Sequence, residues 1–202
     1  MPDFLLERSV TGPVAGVDEA GRGPWAGPVV AAAAILPDDL SRGLSCRLDD
    51  SKKLKGKVRE ALLVEIEPIA QLGVGIATPE EIDALNILHA TMLAMRRAVD
   101  ALPVCPATAL VDGNRAPDLD CKVMTVVKGD GRSFSIAAAS IVAKVTRDRM
   151  MSDLAERYPG YGWERNAGYG TKEHREAISR LGVTPAHRRS FAPIREALTR
   201  YG

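Results

Sequence analysis

Short apolar runs of strand length alternate along this 202-residue chain with longer stretches of helical period, which is the pattern of an α/β domain with one sizeable core. Val14–Ala20 reads as a strand and Pro28–Leu36 as a second, almost wholly apolar one, with Gly21-Arg22-Gly23-Pro24 turning between them. Ser51 is placed to cap a helix from Lys52 that turns Leu54, Val58, Ala61 and Leu62 inward and ends near Pro68. Leu72, Val74 and Ile76 alternate as in a half-buried strand. Thr78-Pro79-Glu80-Glu81 spells a capping box with proline at the first helical position. The helix it opens spaces Leu85, Leu88, Met92, Met95 and Val99 as a core face. Further strands fall at Ala107–Val111 and Lys122–Val127, and a helix from about Phe134 turns Ala138, Ile141, Val142 and Val145 inward until Tyr158-Pro159-Gly160 stops it. Short helices and basic loops follow. The expected division is a core of residues 1–158 and a helical C-terminal segment, 159–202, packed on it and contacting substrate.

Several classes are excluded at this level. No apolar run approaches the length of a membrane span, and the start of the chain has no basic region followed by an apolar stretch, so neither a membrane partner nor a secretory leader is expected. Cys46, Cys105 and Cys121 are odd in number and lack a C-x-x-C spacing, which argues against a disulfide framework or a zinc site and for the reducing cytoplasm. The overall charge of +1 conceals an asymmetry: residues 1–121 carry 12 basic and 18 acidic residues, residues 122–202 carry 15 and 8. A basic half fits a polyanion partner and a solvated surface equally well.

The densest chemical signal is Val17-Asp18-Glu19-Ala20-Gly21-Arg22-Gly23-Pro24. Carboxylates at the end of an apolar strand are costly to desolvate unless something compensates their charge. Adjacent strand side chains point to opposite faces, so both acids serve one site only near the strand end, where the glycine turn redirects the backbone. Val111-Asp112-Gly113 and Val126-Val127-Lys128-Gly129-Asp130 repeat the arrangement. Either aspartate alone beside glycine is a turn former. Together, acids at three strand exits can converge on one sheet edge, and four carboxylates suit two hard divalent ions for in-line displacement at phosphorus.

At these residues the sequence resembles the ribonuclease HII family. Asp18-Glu19-Ala20-Gly21-Arg22-Gly23-Pro24, Asp50-Ser51-Lys52-Lys53-Leu54, Val111-Asp112-Gly113, Lys128-Gly129-Asp130, Ala139-Ser140-Ile141-Val142-Ala143-Lys144-Val145-Thr146-Arg147-Asp148 and Gly168-Tyr169-Gly170-Thr171 occur in that family's order, from about Val14 to about Phe191. The resemblance implies a ribonuclease H-like fold, a five-stranded mixed sheet flanked by helices with a helical C-terminal segment. It implies an endoribonuclease acting on RNA–DNA hybrids and on single ribonucleotides embedded in duplex DNA. Asp18, Glu19, Asp112 and Asp130 would be the catalytic and metal-binding residues for Mg²⁺ or Mn²⁺, with two ions in the catalytic complex and products ending in 3′-hydroxyl and 5′-phosphate. A monomer acting in the cytoplasm is expected.

Only a 2′-hydroxyl marks a ribonucleotide within DNA-like duplex, so its reader must approach the sugar closely. The resemblance gives that role to Gly21-Arg22-Gly23, whose glycines let backbone groups come near, and gives Tyr169 a packing role on the adjoining sugar. Ser140 and Lys144, with Arg147, form a polar flank at helical spacing. With Lys52 and Lys53 they are candidates to grip phosphates, Arg147 being equally a solvated residue. Asp148 reads as a salt-bridging residue, His89 as a packed histidine, and Trp25 and Trp163 as packing residues. His174 and His187 lie in the basic tail and are candidates for phosphate contact. A ribonuclease HIII would share Asp-Glu-Ala-Gly-Arg-Gly but place a substantial domain before it, where this chain has 13 residues before Val14. A non-catalytic duplex-binding module is disfavoured by the intact acids, since anions near phosphate weaken binding unless metal neutralises them.

Overall fold

Four consecutive alanines inside Val29–Ile35 dictate much of the architecture, because small side chains on both faces of a strand let helices close on it from either side. A computed structural model describes residues 2–48, 51 and 54–201 of the chain. In chain order the elements are α1 Leu5–Arg8, β1 Val14–Ala20, β2 Val29–Ile35, α2 Arg42–Ser45, α3 Gly56–Ile66, β3 Gln71–Ala77, α4 Pro79–Asp100, β4 Thr108–Asp112 and β5 Lys122–Val126. A 3₁₀ turn, Gly129–Gly131, precedes α5 Phe134–Arg157, α6 Trp163–Asn166, α7 Lys172–Leu181 and α8 Ala192–Tyr201.

The strands form one mixed sheet in the order β3-β2-β1-β4-β5, antiparallel across the first three and parallel from β1 through β4 to β5. Ala32 and Ala34 face α3 and α5, packing with Leu62, Ile66, Ile141 and Val142. Val29, Ala31 and Ala33 face α4, packing with Ala90, Ala94, Met95 and Ala98. Glycine sharpens this closeness on β3: a Cβ at Gly73 or Gly75 would lie 2.1 Å from the carbonyl oxygens of Ala98 or Ala94, so α4 rests on bare strand backbone. A third cluster joins Tyr161, Trp163, Ile178 and Ile194 of the C-terminal segment to Ala26 and Met151. No helix among the described residues is long and apolar enough to cross a membrane.

Most elements fall where the sequence places them, and the departures have identifiable causes. The capping box forms as expected, with Thr78 accepting from the Glu81 N–H and the Glu81 carboxylate accepting from the Thr78 N–H. Yet α4 is broken at Asn86, whose φ is 69° and whose Oδ1 caps Leu88 and His89. Around the break Leu85 and His89 are exposed, while Met95 and Val99 are buried and Met92 packs beside them as expected, joined by Ile82, Ala90 and Ala94. His89 is thus not the packed histidine expected. α3 begins at Gly56 rather than at Lys52 and has no side-chain cap. Ser51 is committed elsewhere, and the buried face is Leu62, Leu63 and Ile66, with Val58 and Ala61 exposed.

Candidate active site

Strand pairing brings the acids together. Val17 and Val111 are register partners in the parallel pair β1/β4, both facing α4, so the next residues, Asp18 and Asp112, turn to the opposite face, toward α5. β5 continues the parallel edge with Asp112 opposite Val126, and the chain then turns through Lys128, whose φ is 55°, into Gly129–Gly131. The Gly129 N–H donates to Asp112 Oδ1 at 2.7 Å, which hangs the turn carrying the buried Asp130 on the Asp112 carboxylate. Glu19 lies at the strand end, ion-paired with Arg22 at 3.3 Å.

Asp18 is 3% exposed. Burial pushes its carboxyl pKa well above the usual range, and the neighbouring charges of Glu19 and Asp112 push it further the same way. The Ser140 hydroxyl donates to Asp18 and partly offsets this, and Ser140 is itself held by Ser51 at 2.7 Å. Ser140, expected to grip phosphate, is 4% exposed and engaged with Asp18 and Ser51, because its position on α5 points at the sheet. Among the described residues no three carboxylates, histidines or cysteines are drawn together as a closed metal cage. The repulsion on Asp18 from Glu19 and Asp112, only partly offset, and the all-oxygen character of these side chains nevertheless fit a hard divalent cation, which would relieve it.

Beside the acids lies a cleft of about 510 Å³ lined by Glu19, Gly21, Arg22, Gly23, Ser51, Ile87, Lys144, Arg147 and Tyr169. Gly21, Arg22, Gly23, Tyr169 and Lys144 are therefore brought to one place, as the sequence suggested. A Cβ on Gly23 would lie 3.3 Å from Tyr169 Cε1, so turn and ring meet, and Tyr169 remains half exposed. Lys144 lines the cleft while paired with Asp148, which also receives Arg59 at 3.1 Å. Asp148 is thus salt-bridged, as read. Lys52 and Lys53 lie outside the described residues.

Three residues behave differently from expectation. Arg147 is neither a phosphate grip nor solvated: it is 1% exposed, and its guanidinium donates to the carbonyls of Pro28, Ala26 and Ala167. His174 and His187 are buried rather than turned to phosphate. His174 Nδ1–H donates to the Tyr169 carbonyl at 3.0 Å, leaving Nε2 to accept from Trp163 Nε1–H at 3.1 Å. His187 Nδ1 accepts from the Thr184 N–H, so its Nε2–H is the donor to His174 Nε2 at 3.1 Å. This neutral chain anchors the backbone of Tyr169. Arg188, Ile87 and Ser51 also shape the cleft without having been picked out for it. The partners of Arg188 and Ser51 lie far off in sequence, and only the place of Ser51 in the Asp50-Ser51-Lys52-Lys53-Leu54 motif hinted at a role.

Comparison with known proteins is consistent along the chain. A family model described as Ribonuclease HII matches residues 15–194. A Ribonuclease HII of Paramagnetospirillum magneticum is 63% identical over 195 residues, covering 96% of this chain and 97% of its own length. One from Rhodospirillum rubrum is 58% identical over 205 residues, covering 99% and 93%. The crystal structure of the ribonuclease H2 from Pyrococcus horikoshii OT3 matches with a TM-score of 0.77 at 30% identity, covering 93% of this chain and 97% of that one.

Proposed function

Because the chain belongs to the ribonuclease HII family and is an endoribonuclease of the ribonuclease H type, we propose that it hydrolyses the RNA strand of RNA–DNA hybrids and cuts duplex DNA on the 5′ side of a single embedded ribonucleotide. The observation that carries this reading is the contact of Gly23 with the exposed Tyr169 ring beside the acidic strand edge. It offers a surface for one sugar and for the step next to it.

Asp18, Glu19, Asp112 and Asp130 are the residues that would hold Mg²⁺ or Mn²⁺. Two such ions bound there would stabilise charge at the phosphate and promote water as the nucleophile, leaving 3′-hydroxyl and 5′-phosphate ends. The chain's own residues supply the rest. Ser140 steadies Asp18, and Arg22 steadies Glu19 at the mouth of the cleft. The backbone of Gly21–Gly23 approaches the 2′-hydroxyl, where a missing hydroxyl leaves polar groups unpaired. Lys144 lies where a phosphate would pass, held by Asp148 until substrate competes for it. Residues 1–158 provide the acids and the turn; residues 159–202 bring Tyr169 against them.

The test is cleavage of a DNA duplex carrying one ribonucleotide, with Mg²⁺, Mn²⁺ or EDTA, and mapping of the cut. The expected product keeps the ribonucleotide at the 5′ end of the downstream fragment, with no cleavage in EDTA. Tyr169→Ala should lose most of this junction cleavage and Tyr169→Phe should keep more, since the ring supplies the packing. Cutting on the 3′ side, or an unaffected Tyr169→Ala, would reject the reading.

A further inference from the structure

Two buried arginines meet behind the Gly21–Gly23 turn, and neither is called for by the chemistry above. Arg188 is 0% exposed. Its Nε donates to Gly27 O at 2.9 Å, Nη1 to Arg22 O at 3.0 Å, and Nη2 to Gly21 O at 2.5 Å and Pro28 O at 3.2 Å. Arg147 takes the same Pro28 oxygen at 3.0 Å through Nε, and adds Ala26 O and Ala167 O. The eight-residue loop from Gly21 to Pro28 is thus closed at both ends by one guanidinium and tied by the other to the backbone two residues before Tyr169.

Placing two like charges over one carbonyl is unfavourable, and burial together with Arg147 lowers Arg188 to about 9, while burial lowers Arg147 to about 10. Both stay charged at neutral pH. The carboxylates that act on them, Asp83 on Arg188 and Asp148 on Arg147, do so only from a distance: Asp83 accepts from the backbone of Arg189 and Ser190, and Asp148 is taken by Lys144 and Arg59. A hydrophobic side chain would fill this space at lower cost. What it could not do is fix peptide orientation. In a trans peptide the C=O and the following N–H point in opposite directions. With the Gly21 and Arg22 oxygens drawn onto Arg188, the N–H groups of Arg22 and Gly23 are turned away from it, on the turn that lines the cleft.

We propose that Arg188, braced by Arg147, is a positioning and specificity-determining residue that sets the peptide planes of Gly21–Gly23 for reading the 2′-hydroxyl. The proposal rests on the role given to that turn under the proposed function. Arg188 reaches the turn because Ala186–Arg188 runs beside Trp25–Gly27, with Gly27 N–H donating to Ala186 O and Arg188 N–H to Trp25 O, each at 2.8 Å. Its guanidinium also lies over the Phe191 ring at 5.3 Å, which keeps the fork flat against the loop.

The test compares wild type, Arg188→Lys and Phe191→Leu. Lysine keeps the charge but offers a point donor in place of a planar fork; leucine removes only the ring behind the guanidinium. Affinity is measured in EDTA for two duplexes that differ by one ribonucleotide, so that turnover plays no part, and kcat and KM are measured separately on the cleaved duplex. Wild type should prefer the ribonucleotide duplex. Arg188→Lys should bind all-DNA duplex as wild type does while its preference falls by about fivefold to tenfold, the value of one neutral hydrogen bond, and its kcat falls with it. Phe191→Leu should shift both quantities in the same direction by less. If wild type itself shows no preference and no cut beside the ribonucleotide, the reading of the turn fails. If wild type discriminates and folded Arg188→Lys discriminates equally, Arg188 is only structural and this inference is overturned. Should Arg188→Lys not fold, Phe191→Leu decides: an unchanged preference overturns the inference.

Discussion

Two clusters of like charge flank the cleft, an acidic wall at the strand edge and an arginine wall behind the Gly21–Gly23 turn, and they are resolved in opposite ways. On one wall Asp18 faces Glu19 and Asp112, and its raised proton affinity reports repulsion that Ser140 only partly offsets. On the other, Arg147 and Arg188 are buried as deeply, but seven hydrogen bonds to backbone carbonyls absorb their donors. A charge cluster satisfied from within the chain is scaffold. The acidic cluster, where Ser140 offsets only part of the repulsion on Asp18, is the one for which we propose a divalent cation as counter-charge.

The largest expected effect comes from breaking the acidic wall. Asp112→Asn or Asp130→Asn should reduce turnover by about a thousandfold or more while the protein remains folded, as judged by circular dichroism and a cooperative melt. Activity near that of wild type in either variant would remove it from the proposed ligand set. On the opposite wall the loss should appear in stability instead. Arg147→Ala leaves the Ala26 and Ala167 oxygens short of a donor, leaves Pro28 O to Arg188 alone and opens a cavity, which should cost about 3 kcal/mol in urea unfolding. A loss below about 1 kcal/mol would show that water replaces the guanidinium without penalty.

A smaller effect separates the walls by pH. Burial and then the neighbouring His174 lower the His187 imidazole to about 3. The unfolded chain binds a proton there below about 6.5, and the folded protein does not. Stability from this group is therefore complete above that pH and declines as pH falls toward 3. Between pH 6.5 and pH 5 the decline should be about 2 kcal/mol. His187→Gln should flatten this part of the profile; an unchanged slope would place the titration elsewhere.

Legibility in the sequence follows the same division. The acidic wall was readable because Asp18, Asp112 and Asp130 each follow an apolar run within three residues of a glycine, so the placement of the acids is written in local pattern. The sheet was readable for the same reason, and β1 begins and ends where its residues suggested. The arginine wall was not. Arg188 and its acceptors lie 160 to 167 residues apart, and a guanidinium bonded to carbonyls leaves no residue-type signature. Part of the basic excess of the C-terminal half is buried in Arg147 and Arg188, and part is taken up by surface pairs such as Arg149–Glu60 and Arg165–Glu173. The misplaced Leu85 and His89 in α4 flank Asn86, whose positive φ interrupts the helix in a way that hydrophobic periodicity does not encode.

The contrast between the walls is tested most directly by thermal unfolding of wild type and Asp18→Asn, each with and without Mn²⁺. Without metal, Asp18→Asn should melt higher than wild type, because removing a buried carboxylate from the cluster removes repulsion. With Mn²⁺, wild type should gain more than the variant, since a ligand that binds only the folded state stabilises it in proportion to its affinity. If Asp18→Asn melts no higher in the absence of metal and both proteins respond to Mn²⁺ equally, the acidic wall is not an unfinished cation site.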